Sequence, residues 1–592
     1  MNINEFYTIR KQYYTHLHHN LNTRIFWLGW ARLLTFLGFG ASIYLFFRLG
    51  YQYAWLVIAF VLLIFFLWLV KRHIKFFDER ELKRNLIRIN ENELQVLQHQ
   101  PSFLNDGARF HSDERYLLDL DVFGSRSIFH LLNRAATELG EKQLANLLIK
   151  PLKDIQIIKN QQFAVAELTK QIEFRQAFLA QALRTRSNAP DYEQLLTWVE
   201  SPPELYHQRF IRMARILMPA LFFLGLILGI TFQNISIITF FFFLNFALPG
   251  IFAFKIKNIH AAISRNVESL SVFAELFNLI NKNSFQSEIL QKAYHNTKEA
   301  HRELKKLDTI ARFFDQRLNA IVYILLTGAI MYDIQCVLWL EKWKLRNKNQ
   351  LRKWLNAIAE MEMLNSLATF QFNHPEYIVP NLIENQPFIE AKDLAHPLIP
   401  AQECVSNDFS IGKGKRLYIV TGSNMSGKST FLRTVGVNVL LARCGAPVCA
   451  TYFECSPLEI HSSLRQSDSL QDHVSTFYAE LRRLQEILQA LEKDSKALVL
   501  LDEVLRGTNS DDKLYGSQEL VKRLVDLGCI GLLATHDIEL SKMEQDFPSE
   551  LGNLCFESVI ENGDLHFDYK LKSGTAKNRN ATFLMQKMKI IG

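Results

Sequence analysis

The chain is poor in cysteine and lacks any spacing of it that suits a metal: seven residues in 592, six of them beyond residue 400, none paired as zinc ligands. That excludes a zinc-ribbon or finger architecture and reads as reduced, cytosolic thiols. A strong charge excess is lacking too. The 67 basic and 60 acidic residues leave a formal charge of +7, too mild for a dedicated nucleic-acid binder with a dense basic surface. No cleavable signal is expected, because the first 24 residues are polar and aromatic without a small-residue cleavage site. With 48% apolar and 21% charged residues, the composition is globular or membrane-embedded rather than disordered. The length suffices for roughly three or four domains with full cores.

Long apolar runs are present in abundance. A bilayer core of about 30 Å takes roughly 20 apolar residues as a helix. Ile25–Phe47 meets this, interrupted by Arg32 near one end, from where it can snorkel. Ala54–Val70 follows after the turn "RLGYQ", and a second pair, Ile216–Phe232 and Ile235–Phe254, is separated only by Gln233 and Asn234. Turns this short predict two membrane hairpins. Arg10, Lys11, Arg24, Lys71, Arg72 and Lys75 flank the open ends of the first; Arg209, Arg212, Arg215, Lys255 and Lys257 flank those of the second. Positive residues stay inside, so a multi-pass protein of the cytoplasmic membrane is expected, with its large segments in the cytoplasm. A further apolar stretch from Ala320 runs about 13 residues before Asp333. Too short to span, it reads as a buried core helix.

The predicted organisation is a multidomain chain: an N-terminal tail and first hairpin over 1–75, a helical core over 76–210, the second hairpin over 211–256, a helical core or lever over 257–385, and an α/β domain over 386–592. The core segments are amphipathic with charged outer faces, for which scaffold is the plain reading, and long helices can carry displacement between distant sites.

Chemistry begins at residue 416. "RLYIV" is a strand, "TGSNMSGKST" a glycine loop, and "TFLRTVGVNVLLA" a helix. This order points backbone N–H groups at phosphates. Gly422, Ser423, Asn424, Met425, Ser426, Gly427, Lys428, Ser429 and Thr430 form the candidate loop. Lys428 would neutralise the β- and γ-phosphates of ATP, and the Ser429 hydroxyl would ligate Mg²⁺. "ALVLLDE" is an apolar strand ending in two carboxylates: Asp502 to hold Mg²⁺ through water, Glu503 to polarise the attacking water. "CIGLLATH" ends in His536, placed to contact a γ-phosphate.

These residues resemble the MutS mismatch-repair ATPases, a branch of the ABC-type ATPases. "TGSNMSGKSTFLR" is similar to that family's loop, including the Asn424–Met425 pair; "LLDEVLRGTNSDDKLYGS" to its Asp-Glu segment with Arg506, Gly507 and Thr508; "LATHDIEL" to its switch histidine. "SDSLQDHVSTFYAEL" resembles the loop ending in Ser475, Thr476 and Phe477, and the resemblance implies that Ser475 reaches in trans to a partner's γ-phosphate. "LAHPLIP" from Leu394 and "FDYKLKSGTAKNRNA" from Phe567 match the edges of the ATPase domain, and Tyr116–Leu152 resembles the start of the helical core. The likeness implies a homodimer formed through the ATPase domains, double-stranded or branched DNA as a partner, and a place in mismatch repair.

Three departures qualify it. Leu505 stands where the family has glycine, and Ser423 and Ser426 replace a proline and a small residue. The first hairpin stands where a mismatch reader is usual; Phe77-Asp78-Glu79 has the letters of the reader's wedge but reads as coincidence. The second hairpin sits where the family's DNA clamp emerges. The alternative is therefore a membrane mechanoenzyme acting on a protein or envelope partner.

Overall fold

The computed structural model describes residues 2–50, 52–110, 112, 114–185, 192–264, 267–423, 425–465, 476–505, 508–561 and 564–576. The principal helices are α1 Ile3–Arg48, α2 Tyr53–Leu97, α3 Glu138–Ile149, α4 Ile155–Lys170, α5 Arg209–Thr231, α6 Ile235–Leu244, α7 Ala320–Ile330, α8 Tyr332–Asn347 and α9 Leu351–Asn373. Local sequence starts several of them. Thr137 caps α3 by accepting from Gly140 N–H at 3.1 Å, and Asp154 caps α4 by accepting from the N–H groups of Gln156 and Ile157.

Helices α1 and α2 do not end where their apolar runs end. At 1.5 Å per residue each is nearly 70 Å long, about twice a bilayer core. They lie antiparallel, as the pairs Lys11–Glu91, Arg32–His73 and Gly38–Leu62 require. The halves near the turn expose Leu34, Phe47, Phe60 and Leu67. The other halves form a polar stalk that docks on α9. There the Tyr7 hydroxyl donates to Asn373 Oδ1 at 2.7 Å. Buried Glu93 takes a two-pronged bond from Arg134, at 2.5 and 2.9 Å, and a third from Asn373 at 2.7 Å. Phe77-Asp78-Glu79 lies inside this helix: Asp78 bonds Arg184 at 2.6 Å and the Arg80 guanidinium covers the Phe77 ring.

Among the described residues three helices, α1, α2 and α5, are long and apolar enough to cross a membrane, or up to five spans if each of two bent helix pairs counts as one. The expected span over 235–254 is not one helix: α6 stops at Leu244, a short helix Ala247–Ile251 follows, and the chain bends by 70° into Ala253–Ser264. Asn245 sits at this break, its Nδ2 donating to Gly328 O of α7 at 2.6 Å. The stretch from Ala320 is likewise corrected. It is short, as expected, but it is not core: α7 exposes Ile321, Ile324 and Leu325 and packs on α5 and α6. Met331, left-handed at φ +52°, then turns the chain by 81° into buried α8.

The C-terminal part carries two sheets. Strands β1 Asn381–Leu382, β2 Ile389–Leu394, β3 Asn407–Ile411 and β5 Tyr452–Cys455 form a small sheet in the order β1-β5-β2-β3. The larger one is built from β4 Leu417–Gly422, β6 Glu459–Ser463, β7 Ala497–Asp502, β8 Ile530–Thr535, β9 Leu551–Glu561 and β10 Asp564–Ser573, in the order β10-β9-β4-β8-β7-β6. Its neighbours are parallel except for the antiparallel edge β10. Helices α10 Lys428–Arg443, α11 Thr476–Lys493 and α12 Ser510–Leu527 cover it. The unbroken apolar runs of β7 and β8 are buried, as strands covered on both faces must be. Arg443 of α10 joins this domain to the helical part through the carbonyls of Leu152 and Pro151.

Candidate nucleotide site

Strands β4, β7 and β8 are adjacent and parallel, so their C-terminal ends open on the same edge. The three sequence signals meet there. Gly422 ends β4; Ser423, Met425, Ser426 and Gly427 form the loop; Lys428, Ser429 and Thr430 open α10. Gly427 sits at φ +103°, and a Cβ on it would lie 3.1 Å from the Tyr569 ring; only glycine fits. Lys428 is buried, its ammonium donating to the carbonyls of Gly422 at 2.7 Å and Ser423 at 2.8 Å. The charge thus sits inside the loop's arc, beside the N-terminus of α10, where an anion is favoured twice over. Ser426 Oγ is buried with no partner among the described residues.

The Ser429 hydroxyl donates to Asp502 Oδ2 at the end of β7. A hydroxyl and a carboxylate at this spacing are hard oxygen donors that suit Mg²⁺. Glu503 follows at φ +48°, a left-handed conformation fixed by its N–H bond to Ala534 O at 2.9 Å. Its carboxylate is largely shielded and lies 3.4 Å from Nδ1 of His536, which is half-exposed beyond β8. Strain at this one carboxylate, supported by the neighbouring strand, is typical of a working position. Leu505, in the place of the expected glycine, also has positive φ, +60°; its side chain is buried beside Gly516 and its N–H donates to Glu480. Burial offsets the strain that glycine would avoid.

A cavity of about 760 Å³ opens beside the loop. Its floor is the loop, with Glu503 at one side. The opposite wall comes from residues that sequence reasoning had not assigned to the site: Leu394, His396, Ile399 and the chain to Asn407, with Phe556 and Tyr569 from β9 and β10. "LAHPLIP" was legible as a domain edge, but nothing local in it signals a pocket wall. Burial, aided by the Arg433 cation, pushes the His396 imidazole down to about 4, so it is neutral at physiological pH.

Asn424, Ser475, Arg506 and Gly507 lie outside the described residues. The chain on either side of 466–475 is tied to one buried carboxylate from the helical part, Asp119. It accepts from the N–H groups of Leu464 at 3.2 Å and Arg465 at 3.0 Å, from the Ser462 hydroxyl at 2.7 Å, and from Arg483 of α11.

Two family models match the chain. The family model for MutS domain III matches residues 115–368, and that for MutS domain V matches residues 418–588. The DNA mismatch repair protein MutS of Thermotoga sp. (strain RQ2) is 34% identical over 234 residues, 39% of this chain and 29% of that protein. MutS of Lactococcus lactis subsp. cremoris (strain MG1363) is 28% identical over 306 residues, half of this chain and 36% of the relative. The matches thus span about a third of the length of these curated relatives.

Proposed function

We propose that this chain, which carries MutS domains III and V, is a membrane-anchored ATPase that couples ATP hydrolysis to movement of its helical core. The observation that carries the reading is the convergence of Lys428, the Ser429–Asp502 pair and the Glu503–His536 pair at one sheet edge. ATP would occupy the cavity with its phosphates in the loop. Lys428 would exchange its two carbonyl bonds for phosphate oxygens, and the loop N–H groups would hold the β-phosphate. Ser429 and Asp502 would hold Mg²⁺, whose charge offsets that developing on the phosphates. Glu503 would take the proton of the attacking water, and His536, beside it, would contact the γ-phosphate and register its loss. Ser475 would complete the site of a second copy, making a homodimer the active form.

The four exposed apolar segments on α1, α2, α5 and α6 support insertion in the cytoplasmic membrane, with the core and ATPase domains on the cytoplasmic side. Asp119 and Arg443 link the ATPase domain to the helical part, the route by which dimer closure would reach the stalk. The relatives' name makes double-stranded or branched DNA, and mismatch repair, the favoured load.

The deciding experiment is Glu503→Gln in the full chain. Turnover should fall by roughly 100-fold or more while ATP binding persists and a dimer accumulates; undiminished turnover overturns the assignment of the base. DNA is tested separately, by duplex and junction binding across salt. A steep loss of affinity with salt is expected, and no salt-sensitive binding at low ionic strength removes DNA from the proposal.

A further inference from the structure

The first hairpin holds a cation in an unusual setting. Arg32 lies between α1 and α2, where its Nη1 donates to Nδ1 of His73 at 2.5 Å. Arginine offers only donors, so His73 accepts at Nδ1 and, when neutral, carries its proton on Nε2. That Nε2 and the Arg32 Nε are both buried with no acceptor among the described residues. Among the described residues no carboxylate pairs with Arg32, and its guanidinium lies over the Phe66 ring at 5.9 Å. Two N–H donors and a full positive charge therefore lack an acceptor between apolar helices, a costly arrangement unless an anion meets them.

The height of the pair identifies the anion. From Arg32 to the end of α1 is about 24 Å along the helix, and from the start of α2 to His73 about 30 Å. Measured from the hairpin's turn, the pair thus lies one hydrocarbon thickness away, at the opposite edge of the bilayer. Its surroundings change there as an interface requires. On the turn side the exposed residues include Leu34, Phe36 and Leu37; on the other side they include Phe26, Trp27 and Trp30, while Lys71 and Arg72, just before His73 on α2, stand at the level of the pair.

We propose that Arg32 and His73 form a binding site for a phosphate group, supplied by a phospholipid headgroup of the cytoplasmic leaflet. The site rests on the membrane reading above and adds a ligand to it. The guanidinium matches phosphate in charge and in its planar set of donors, and the acyl chains would lie along the exposed apolar faces of α1 and α2.

The test is native mass spectrometry of the full chain, delipidated in dodecyl maltoside and titrated with phosphatidylglycerol, with dioleoylglycerol, or with inorganic phosphate. The wild type should take up one phosphatidylglycerol at a concentration at least ten-fold below that for any later one. Dioleoylglycerol, which lacks the phosphate, should not occupy this site, and 10-fold excess inorganic phosphate should not displace the lipid. Arg32→Leu should raise the concentration needed by about ten-fold, and His73→Phe by less. Equal uptake of the two lipids by the wild type, or equal uptake of phosphatidylglycerol by wild type and Arg32→Leu, overturns the site. Displacement by inorganic phosphate overturns the lipid as its source. Alkaline extraction of native membranes separates the two readings: release of the wild type as soluble protein ends the membrane reading, whereas retention with unchanged lipid uptake in Arg32→Leu ends the site alone.

Discussion

Replacing Glu93 by glutamine leaves the Arg134 guanidinium buried beside a neutral amide, at the joint where the stalk of α1 and α2 meets α9. Both side chains are about 3% exposed or less, so water cannot take over the lost charge. Removing one partner of such a pair costs about 3–5 kcal/mol, although exchanging both for apolar groups is far milder. Each 1.4 kcal/mol is a factor of ten, so opening of the joint should become roughly 100-fold more frequent or greater. Hydrogen exchange of the α2 amides around Ile89–Val96, in the detergent-solubilised full chain, reads this directly. The double variant Glu93→Gln, Arg134→Met should recover most of the protection. Burial pushes the Glu93 carboxyl up, but Arg134 beside it, with Asn373 and Asn92, holds it below its ordinary value of 4.5. The depressed carboxylate therefore contributes stability above that value and loses it as pH falls through the folded value, so the joint should loosen in acid, and in Glu93→Gln this dependence should vanish. A change in exchange of less than about five-fold at neutral pH would refute the argument that this ion pair holds the stalk to the core.

Glu362, also buried on α9, behaves oppositely: burial pushes its carboxyl up to about 7, despite bonds from the Thr137 hydroxyl and the N–H groups of Ala136 and Thr137. The folded form keeps a proton that the unfolded chain releases above about 4.5, so stability falls as pH rises from about 5 to 7, by an amount on the order of 3 kcal/mol. Urea midpoints should show this slope in the wild type and lose it in Glu362→Gln; parallel slopes would disprove it. Gly427→Ala forces a side chain into φ +103° against Tyr569; affinity for a fluorescent ATP analogue should fall at least ten-fold, and unchanged affinity would mean the loop is not held in this form. Gly328→Ala drives a Cβ to within 2.1 Å of the Phe242 ring, which should destabilise the α5–α6–α7 cluster by about 1–3 kcal/mol. Phe242→Leu in the same chain should restore part of that loss, and additive effects would show that the two residues do not touch.

What could be read from the residues alone follows the range of the interactions involved. The loop from Gly422 to Thr430 and the strand ends at Asp502 and His536 are specified by neighbours within a few residues: glycines where φ must be positive, apolar runs where strands are covered on both faces. The pocket wall is not specified locally. His396, Phe556 and Tyr569 come together only because β9 pairs with β4 and β10 with β9, pairings that leave no trace in any one segment. The same holds for the bend at Met331, which is not a residue that breaks a helix by its own preference in the way that proline does and lies within a run whose hydropathy predicts continuity. The 70° bend after Ile251 does have a local signal, Pro249-Gly250, which a count of apolar residues passes over. The α6 break coincides with a contact 83 residues away, Asn245 to the Gly328 carbonyl, made possible because glycine lets α7 approach. The error over α7 has the same origin. Counting its apolar residues set this stretch short of a full span, but α7 and α8 together still have the length and composition of one broken span or re-entrant loop, and length alone cannot distinguish a core helix from one whose apolar face lies against α5 and α6 and is otherwise exposed. Only the position of its two ends decides, and both lie on the side of the helical core: Arg317 before α7 and Asp333 after it are bridged at 3.1 Å. A segment whose entrance and exit are joined by a salt bridge has both ends held at the helical core, a constraint that the count of apolar residues does not carry.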